Sequence, residues 1–250
     1  MRTAYFGKLG SAQLMIKDGI NMRYDVILWD LDGTLLDFHY AQHYAIKKCL
    51  EEINVTATEE IIERYSQIND KWWKDLEREK VSKEQLLTGR FIELFSEYNI
   101  ICNDVEGFRN CYEEYLGDVY LYIDDSLEIC KSLVGKCRQF IVTNGLASSA
   151  VKKIKLSGFH DIMEKIFISE QLGAPKPQKL FFDKVFESMP EVPKDRILIV
   201  GDSLSSDILG GNRAGIASCW YNPLEEINAT EAETNFTIKN LNEIFNIIEV

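Results

Sequence analysis

The sequence predicts an α/β protein: a Rossmann-like parallel sheet with helices on both faces, carrying one smaller all-helical insertion. Three observations lead there. Short apolar runs alternate with helix-patterned segments from residue 125 onward, and strands that alternate with helices imply parallel crossover units. Between residues 39 and 117 that alternation stops, and Glu, Lys, Leu, Ile and aromatic residues recur at helical spacing, with no glycine between Gly33 and Gly89. Finally, the ends of several apolar runs carry acids, a threonine or a lysine, and open α/β sheets collect ligands outside the carboxyl ends of their strands.

The first strand is read from Tyr24 to Trp29, with Val26 to Trp29 as its apolar centre. Segments near 40–53, 58–79, 82–98 and 104–116 have the spacing of amphipathic helices. Four alternations follow. Helix 125–134 leads to strand Gln139 to Thr143, helix 147–156 to strand Lys165 to Ser169, helix 178–188 to strand Arg196 to Gly201, and helix 206–214 to the short strand Ile216 to Trp220. A strand near Asn235 to Ile238 precedes a terminal helix from about Leu241. The expected division is a leader over 1–21, an α/β core over 22–38 and 118–250, and a helical domain over 39–117. Gly210-Gly211 falls within a predicted helix, where small residues imply close packing against a neighbouring element.

Composition narrows the function. A chain of 250 residues with 46% hydrophobic content can bury a substantial core in one or two domains. A net charge of −12 argues against binding a nucleic-acid polymer through its phosphates. It leaves room for a small anionic substrate, because a local cation or metal overrides the global field. The six cysteines (Cys49, Cys102, Cys111, Cys130, Cys137 and Cys219) form no CxxC pair and no Cys/His metal spacing, so they read as reduced thiols of a cytoplasmic protein. No apolar run approaches the roughly 18 residues of a membrane span. The leader MRTAYFGKLGSAQLMIKDGIN lacks an apolar signal region. It is expected to be either a non-native start, with Met22 as the natural one, or an arm without catalytic importance. The sequons at Asn228 and Asn235 are then chance matches.

The candidate site begins in VILWDLDGTLLDF, Val26 to Phe38, where a buried-strand pattern runs into Asp30 and Asp32. Carboxylates spaced i, i+2 share one side of an extended chain, where like charges repel and desolvation is costly. The second core strand ends in Thr143-Asn144-Gly145, the third in EQLGAPKP with Lys176, and the fourth in Gly201-Asp202-Ser203, followed by Asp207. Taken singly, each has an ordinary reading: a turn or helix cap for an Asp, a plain turn for Thr143 to Gly145, a solvated loop lysine for Lys176. Converging on one sheet edge, they suit phosphoryl transfer. Carboxylates around a hard dication suit Mg²⁺, which would relieve the repulsion and neutralise phosphoryl oxygens. Lys176, the Thr143 hydroxyl and backbone N–H groups near Asp32 could cradle those oxygens. One Asp could attack phosphorus, and the other could protonate the leaving oxygen and later deprotonate water.

This arrangement resembles the haloacid dehalogenase (HAD) superfamily of phosphatases, whose four motifs stand in order between Tyr24 and about Asn222. The resemblance implies Asp30 as nucleophile and Asp32 as general acid/base, with Thr143, Asn144 and Lys176 holding the phosphoryl group. It also implies Mg²⁺ held by Asp30, the main-chain carbonyl of Asp32 and Asp202, with Asp207 supporting its hydration shell. Dehalogenase members lack an acid two residues after the nucleophile, so Asp32 implies a phosphatase. The insertion resembles a C1-type cap, a lid that excludes water. Leu36-Asp37-Phe38 followed by Ala41 and Ala45, the VTNG turn, and GDSLSSDILGGNRAGIASCWYNP are similar to the pyrimidine 5'-nucleotidase (YjjG-like) group. That group's pattern is GDSLTSDIxGGxxAGIxTCWxNP, and Ser205 and Ser218 here replace its threonines. The resemblance therefore implies hydrolysis of pyrimidine nucleoside monophosphates by a monomer or homodimer. The alternatives are a phosphatase of phosphoglycolate or a sugar phosphate, or a HAD-fold protein that binds without turnover.

Two further groups are singled out in the insertion. His39 and His43 share a helix face, which allows a metal pair, a place at the cap mouth or a solvated face. The Glu and third ligand of a zinc protease motif are missing around them. Trp72-Trp73, with Tyr65 and Phe91, offers either the core of the cap or a stacking surface for a base.

Overall fold

A computed structural model describes residues 22–78 and 80–249; the expectations for the leader over 1–21 lie outside these residues. Strand β1 (Val26–Trp29) is buried on both faces, which is why its four residues are all large and apolar. It enters a helical insertion of α1 (Phe38–Glu52), α2 (Glu59–Glu77), α3 (Lys83–Tyr98) and α4 (Val105–Leu116). The chain then returns through α5 (Ser126–Ser132) to β2 (Arg138–Thr143), α6 (Ala147–Leu156), β3 (Lys165–Ile168), α7 (Ser169–Leu172) and α8 (Lys179–Phe186). It closes with β4 (Ile197–Gly201), α9 (Leu209–Ala214), β5 (Ala217–Tyr221), β6 (Phe236–Ile238) and α10 (Phe245–Ile248).

The six strands are parallel in the order β3-β2-β1-β4-β5-β6. The chain therefore builds outward in one direction from β1 and in the other from β4, and the crevice between their ends is the switch point where such sheets bind ligands. Successive residues point to opposite faces. Ile27, Trp29, Ile141, Leu198 and Val200 enter one apolar cluster, while Val26, Leu28, Phe140, Val142 and Ile199 enter the other. The insertion has its own cluster, built from Ile46, Tyr65, Phe91, Phe95, Phe108, Tyr112 and neighbours. No helix of the described residues is long and apolar enough to cross a membrane.

Local chemistry sets the boundaries that periodicity left loose. Helix α1 starts at Phe38 rather than near residue 40, because the Asp37 carboxylate accepts from the Tyr40 N–H at 2.9 Å and caps the first turn. Thr58, Ser82 and Asp104 cap α2, α3 and α4 in the same way. The helix expected over 206–214 is an α-helix only from Leu209, since Leu204–Ile208 winds more widely as a π-type turn. The predicted terminal helix from about Leu241 begins as a 3₁₀ turn over Leu241–Ile244 and is α-helical only in α10. The close packing expected at Gly210-Gly211 is present. A Cβ on Gly210 would lie 2.7 Å from the Phe182 ring, and one on Gly211 would lie 2.8 Å from Ile199.

Candidate active site

At the carboxyl end of β1, the Asp30 N–H donates to the Val200 carbonyl at 2.9 Å. That bond extends the β1–β4 ladder by one residue and aims the Asp30 carboxyl into the switch-point crevice. Two glycines let the other acids approach. Gly33 has φ 95°, and a Cβ there would lie 2.6 Å from the Asp202 carboxylate. A Cβ on Gly201 would lie 2.3 Å from Asp207. In this way Asp30, Asp202 and Asp207 each place a carboxylate oxygen within 4.8 Å of the others.

The lysine that completes the set is wholly buried. Lys176 Nζ donates to Asp30 Oδ1 and Asp207 Oδ1, both at 2.6 Å, and to the Val142 carbonyl at 2.7 Å. Burial disfavours its charge, but Asp207 and Asp30 outweigh that and raise its pKa above the usual lysine value. Desolvation pushes the Asp30 carboxyl well above the ordinary carboxylate range despite Lys176, with Asp207 and Asp202 adding repulsion. Asp202 faces the cleft, yet loss of water around its carboxyl and the charge of Asp207 raise its pKa too. Three carboxylates thus face one ammonium, leaving a local excess of negative charge.

That excess is what a hard dication would balance. The donors are all oxygens, and octahedral Mg²⁺ ligands at about 2.1 Å stand about 3 to 4 Å apart, which the spacing of these three carboxylates accommodates. The residues therefore fit Mg²⁺. Asp207 is the most constrained of them: its second oxygen accepts from the Ser203 N–H at 3.2 Å. Thr34 donates its hydroxyl to Asp202 at 3.1 Å, and Trp220 Nε1 donates to the Asp202 carbonyl at 2.9 Å.

Thr143 and Asn144 stand beside this cluster in different states. The Thr143 oxygen accepts from the Gly145 N–H at 3.0 Å, which leaves its hydroxyl proton to donate. The Asn144 side chain is committed instead to the main chain of Lys176, accepting from its N–H at 2.8 Å and donating to its carbonyl at 2.9 Å. Asn144 thus clamps the loop that carries Lys176, and the group it has left for a phosphoryl oxygen is its own main-chain N–H.

Three residues that the structure places at or beside the crevice were not apparent in the sequence. Lys153, in the middle of α6, is buried and pairs with Asp32 Oδ1. Nothing in VKKIKL distinguishes it from its neighbours except a position one helical face away from Lys152. Glu77, the last residue of α2, accepts from the Ser205 hydroxyl and from Ser203 at 3.5 Å, joining the insertion to the loop after β4. Burial raises its pKa above the usual carboxylate value, against the two serine bonds. Asn69, also on α2, lines the crevice itself.

The crevice is a cavity of about 190 Å³ bounded by Asp30, Asp32, Thr143 and Lys176 below and by Phe38, Asn69 and Trp73 above. It opens into a cleft of about 750 Å³ at the mouth of the insertion, where His39 stands. His43 turns away to pair with Glu59 at 2.9 Å, so the two histidines do not act together. The tryptophan pair divides likewise. Trp72 packs on the apolar cluster of the insertion and donates to Glu93 at 2.8 Å, whereas Trp73 faces the crevice. Tyr65 and Phe91 stack inside the insertion with centroids 5.5 Å apart, and belong to its core. A separate cleft of about 660 Å³ opens at the amino ends of the strands, but its Arg138 is already paired with Glu164 and Glu191.

Comparison with known proteins identifies a family and a shared fold. The family described as haloacid dehalogenase-like hydrolase matches residues 24–215. The putative HAD-hydrolase YfnB of Bacillus subtilis is 32% identical over 230 residues, 91% of this chain and 97% of its own length. Pyrimidine 5'-nucleotidase PynA of Streptococcus pneumoniae is 33% identical over 91% of this chain and 96% of its own length. Pyrimidine 5'-nucleotidase YjjG of Escherichia coli is 28% identical over 89% and 97%. The crystal structure of Bacillus subtilis YfnB bound to magnesium superposes with a TM-score of 0.86 at 33% identity, covering 90% of this chain and 98% of that one. With its motif acids gathered at the switch point of a parallel sheet under a helical insertion, the chain belongs to the haloacid dehalogenase-like hydrolase family.

Proposed function

We propose that this hydrolase is a Mg²⁺-dependent phosphomonoesterase that works through an aspartyl-phosphate, and that its substrates are pyrimidine nucleoside 5'-monophosphates. The observation that carries the reaction is the convergence of Asp30, Asp202 and Asp207 on Lys176 at one strand edge. The choice of substrate is supported by the two relatives named pyrimidine 5'-nucleotidase, which match nearly the whole chain.

Asp30 attacks phosphorus through a carboxylate oxygen. As that bond forms, the bond from phosphorus to the 5' oxygen breaks, and the leaving oxygen takes a proton from Asp32. In the second step Asp32 accepts a proton from water, which attacks the phosphoryl group, releases phosphate and restores Asp30. Lys176 and Thr143 hold the equatorial oxygens, with the Asn144 main chain beside them. Asp30, Asp202 and the Asp32 carbonyl, with Asp207 behind them, would hold Mg²⁺, which when bound neutralises charge on the phosphoryl oxygens. Lys153 fixes the Asp32 carboxyl in place for both proton transfers.

In this reading the chain is two domains, a core over 22–38 and 118–250 and a cap over 39–117, and the cap closes to exclude water. The contact of Glu77 with Ser203 and Ser205 supports such a closure, and interdomain movement is described for the magnesium-bound YfnB structure. A cytoplasmic setting, suggested by the cysteine spacing in the sequence, is part of this reading. A phosphate-release panel of dUMP, UMP, dTMP, AMP, phosphoglycolate and glucose 6-phosphate tests the proposal. The pyrimidine nucleotides should give the highest kcat/KM. Preference for AMP or a sugar phosphate would reject the substrate and leave the reaction class intact.

A further inference from the structure

Arg90, on α3, is 1% exposed inside the helical insertion, with its guanidinium carbon 4.8 and 5.0 Å from the ring centroids of Phe91 and Tyr112. Among the described residues no carboxylate pairs with it. Its polar partner is the side-chain oxygen of Asn69, 2.7 Å from Nη1. A guanidinium only donates, so the Asn69 amide must turn its oxygen toward Arg90. An amide orientation that is ordinarily ambiguous is thereby fixed by chemistry.

The consequence lies on the other side of Asn69. Its Nδ2 is buried without a partner, and a buried donor left empty is costly. Asn69 is itself fully buried, yet it lines the cavity shared with Asp30, Asp32, Thr143 and Lys176. Arg90, whose Nε and Nη2 are also unpartnered, lines neither that cavity nor the cleft outside it. Asn69 therefore touches both the buried Arg90 cluster and the crevice, and with its oxygen committed to Arg90 the side-chain group it has left is an N–H₂ donor.

We propose that Asn69 is a specificity-determining residue whose Nδ2 donates to a ring carbonyl oxygen of the leaving nucleoside, with Arg90 as the positioning residue that keeps the donor pointed inward. This rests on the nucleotidase reading of the site. Uracil, thymine and cytosine all carry such an oxygen beside the glycosidic nitrogen, whereas adenine has no carbonyl. Ribose 5-phosphate shares the phosphate and sugar of UMP but has no base at all. Trp73 and Phe38, on the same cavity wall, supply flat apolar surfaces for the ring.

The test compares kcat/KM for UMP with that for ribose 5-phosphate in the full-length, Mg²⁺-saturated enzyme. Asn69→Ala should lower the UMP to ribose 5-phosphate ratio by about 10- to 100-fold, the size expected for one lost hydrogen bond in a buried site. Asn69→Asp serves as a second variant, because it places a carboxylate beside Arg90 and removes the donor at nearly constant shape. It should keep or raise Tm while lowering the same ratio. Equal losses on both substrates in Asn69→Ala, or an unchanged ratio in Asn69→Asp, would overturn the assignment. The wild-type comparison of UMP with AMP is separate: a preference for AMP refutes the pyrimidine reading, whatever the variants show.

Discussion

The α/β core and the helical insertion bury charge in opposite ways. The core gathers three carboxylates around one lysine, so its unbalanced charge is negative. The insertion buries the guanidinium of Arg90 against a single amide oxygen, so that cluster has donors to spare and no acid of its own. The core's acids line the crevice directly, whereas the Arg90 cluster reaches it only through Asn69, which stands beside Asp70 and Glu77 of the same helix. A structural protein gains nothing from either, since unpaired buried charge is costly on both sides. In the proposed reading, the difference assigns the two regions different parts of one ligand: the core takes a cation and the phosphoryl group, and Asn69 of the insertion takes a neutral acceptor.

Breaking the core side should have the largest effect. Asp30→Asn should lower kcat by at least about a thousandfold, as loss of a nucleophile does elsewhere, while Tm stays the same or rises because one of the crowded carboxylates loses its charge. Phosphate release and thermal melting measured on one preparation check both halves, and a variant with near-wild-type kcat would remove Asp30 from the role of nucleophile. Chelation is the reversible counterpart. EDTA should abolish turnover and excess Mg²⁺ restore it; full activity in EDTA would show that the acids serve some other purpose.

A smaller effect is expected one layer out. Lys153→Met should reduce kcat by about 10- to 100-fold, the size of loss associated with slight misplacement of a reacting group, with KM less affected. Lys153→Arg should recover much of the loss, because a cation still reaches Asp32. If Lys153 steadies proton transfer, the Lys153→Met defect should also be smaller for p-nitrophenyl phosphate, whose leaving group needs little protonation. The join between the halves should matter least. Glu77→Gln weakens the contact with Ser203 and Ser205 and should change kcat and KM together by a few-fold, as hinge and lid changes do, with little movement of Tm. A change in Tm alone would make Glu77 a structural bond and not a latch.

The strands and their terminal acids were legible because each is a local statement. VILW running into Asp30, IVT into Asn144 and ILIVG into Asp202 mark where buried strands stop, and the rule that ligands gather at carboxyl ends then joins them without any knowledge of packing. The four helices of the insertion were legible from spacing, but their first residues were settled only by the side-chain caps at Asp37, Thr58, Ser82 and Asp104. The roles of Trp72 and Trp73 were not legible. Neighbours on a helix point about 100° apart, so one fills the core of the insertion and the other faces the crevice, and periodicity alone does not say which.

The sequence by itself determined the fold class, the edge of the sheet where the candidate site lies and the residue types placed there, because burial period and strand-end position are properties of short segments. Only the tertiary structure decided the partners. Lys153 meets Asp32 across 121 residues, Ser205 meets Glu77 across 128, and Arg90 meets Asn69 across 21. Each pairing depends on how one helix is set against another element, at a distance and rotation fixed by interlocking apolar side chains. A period in the sequence specifies which face of a helix is buried; the neighbour that face meets is chosen by packing, and with it the donor or acceptor that ends up waiting in the site.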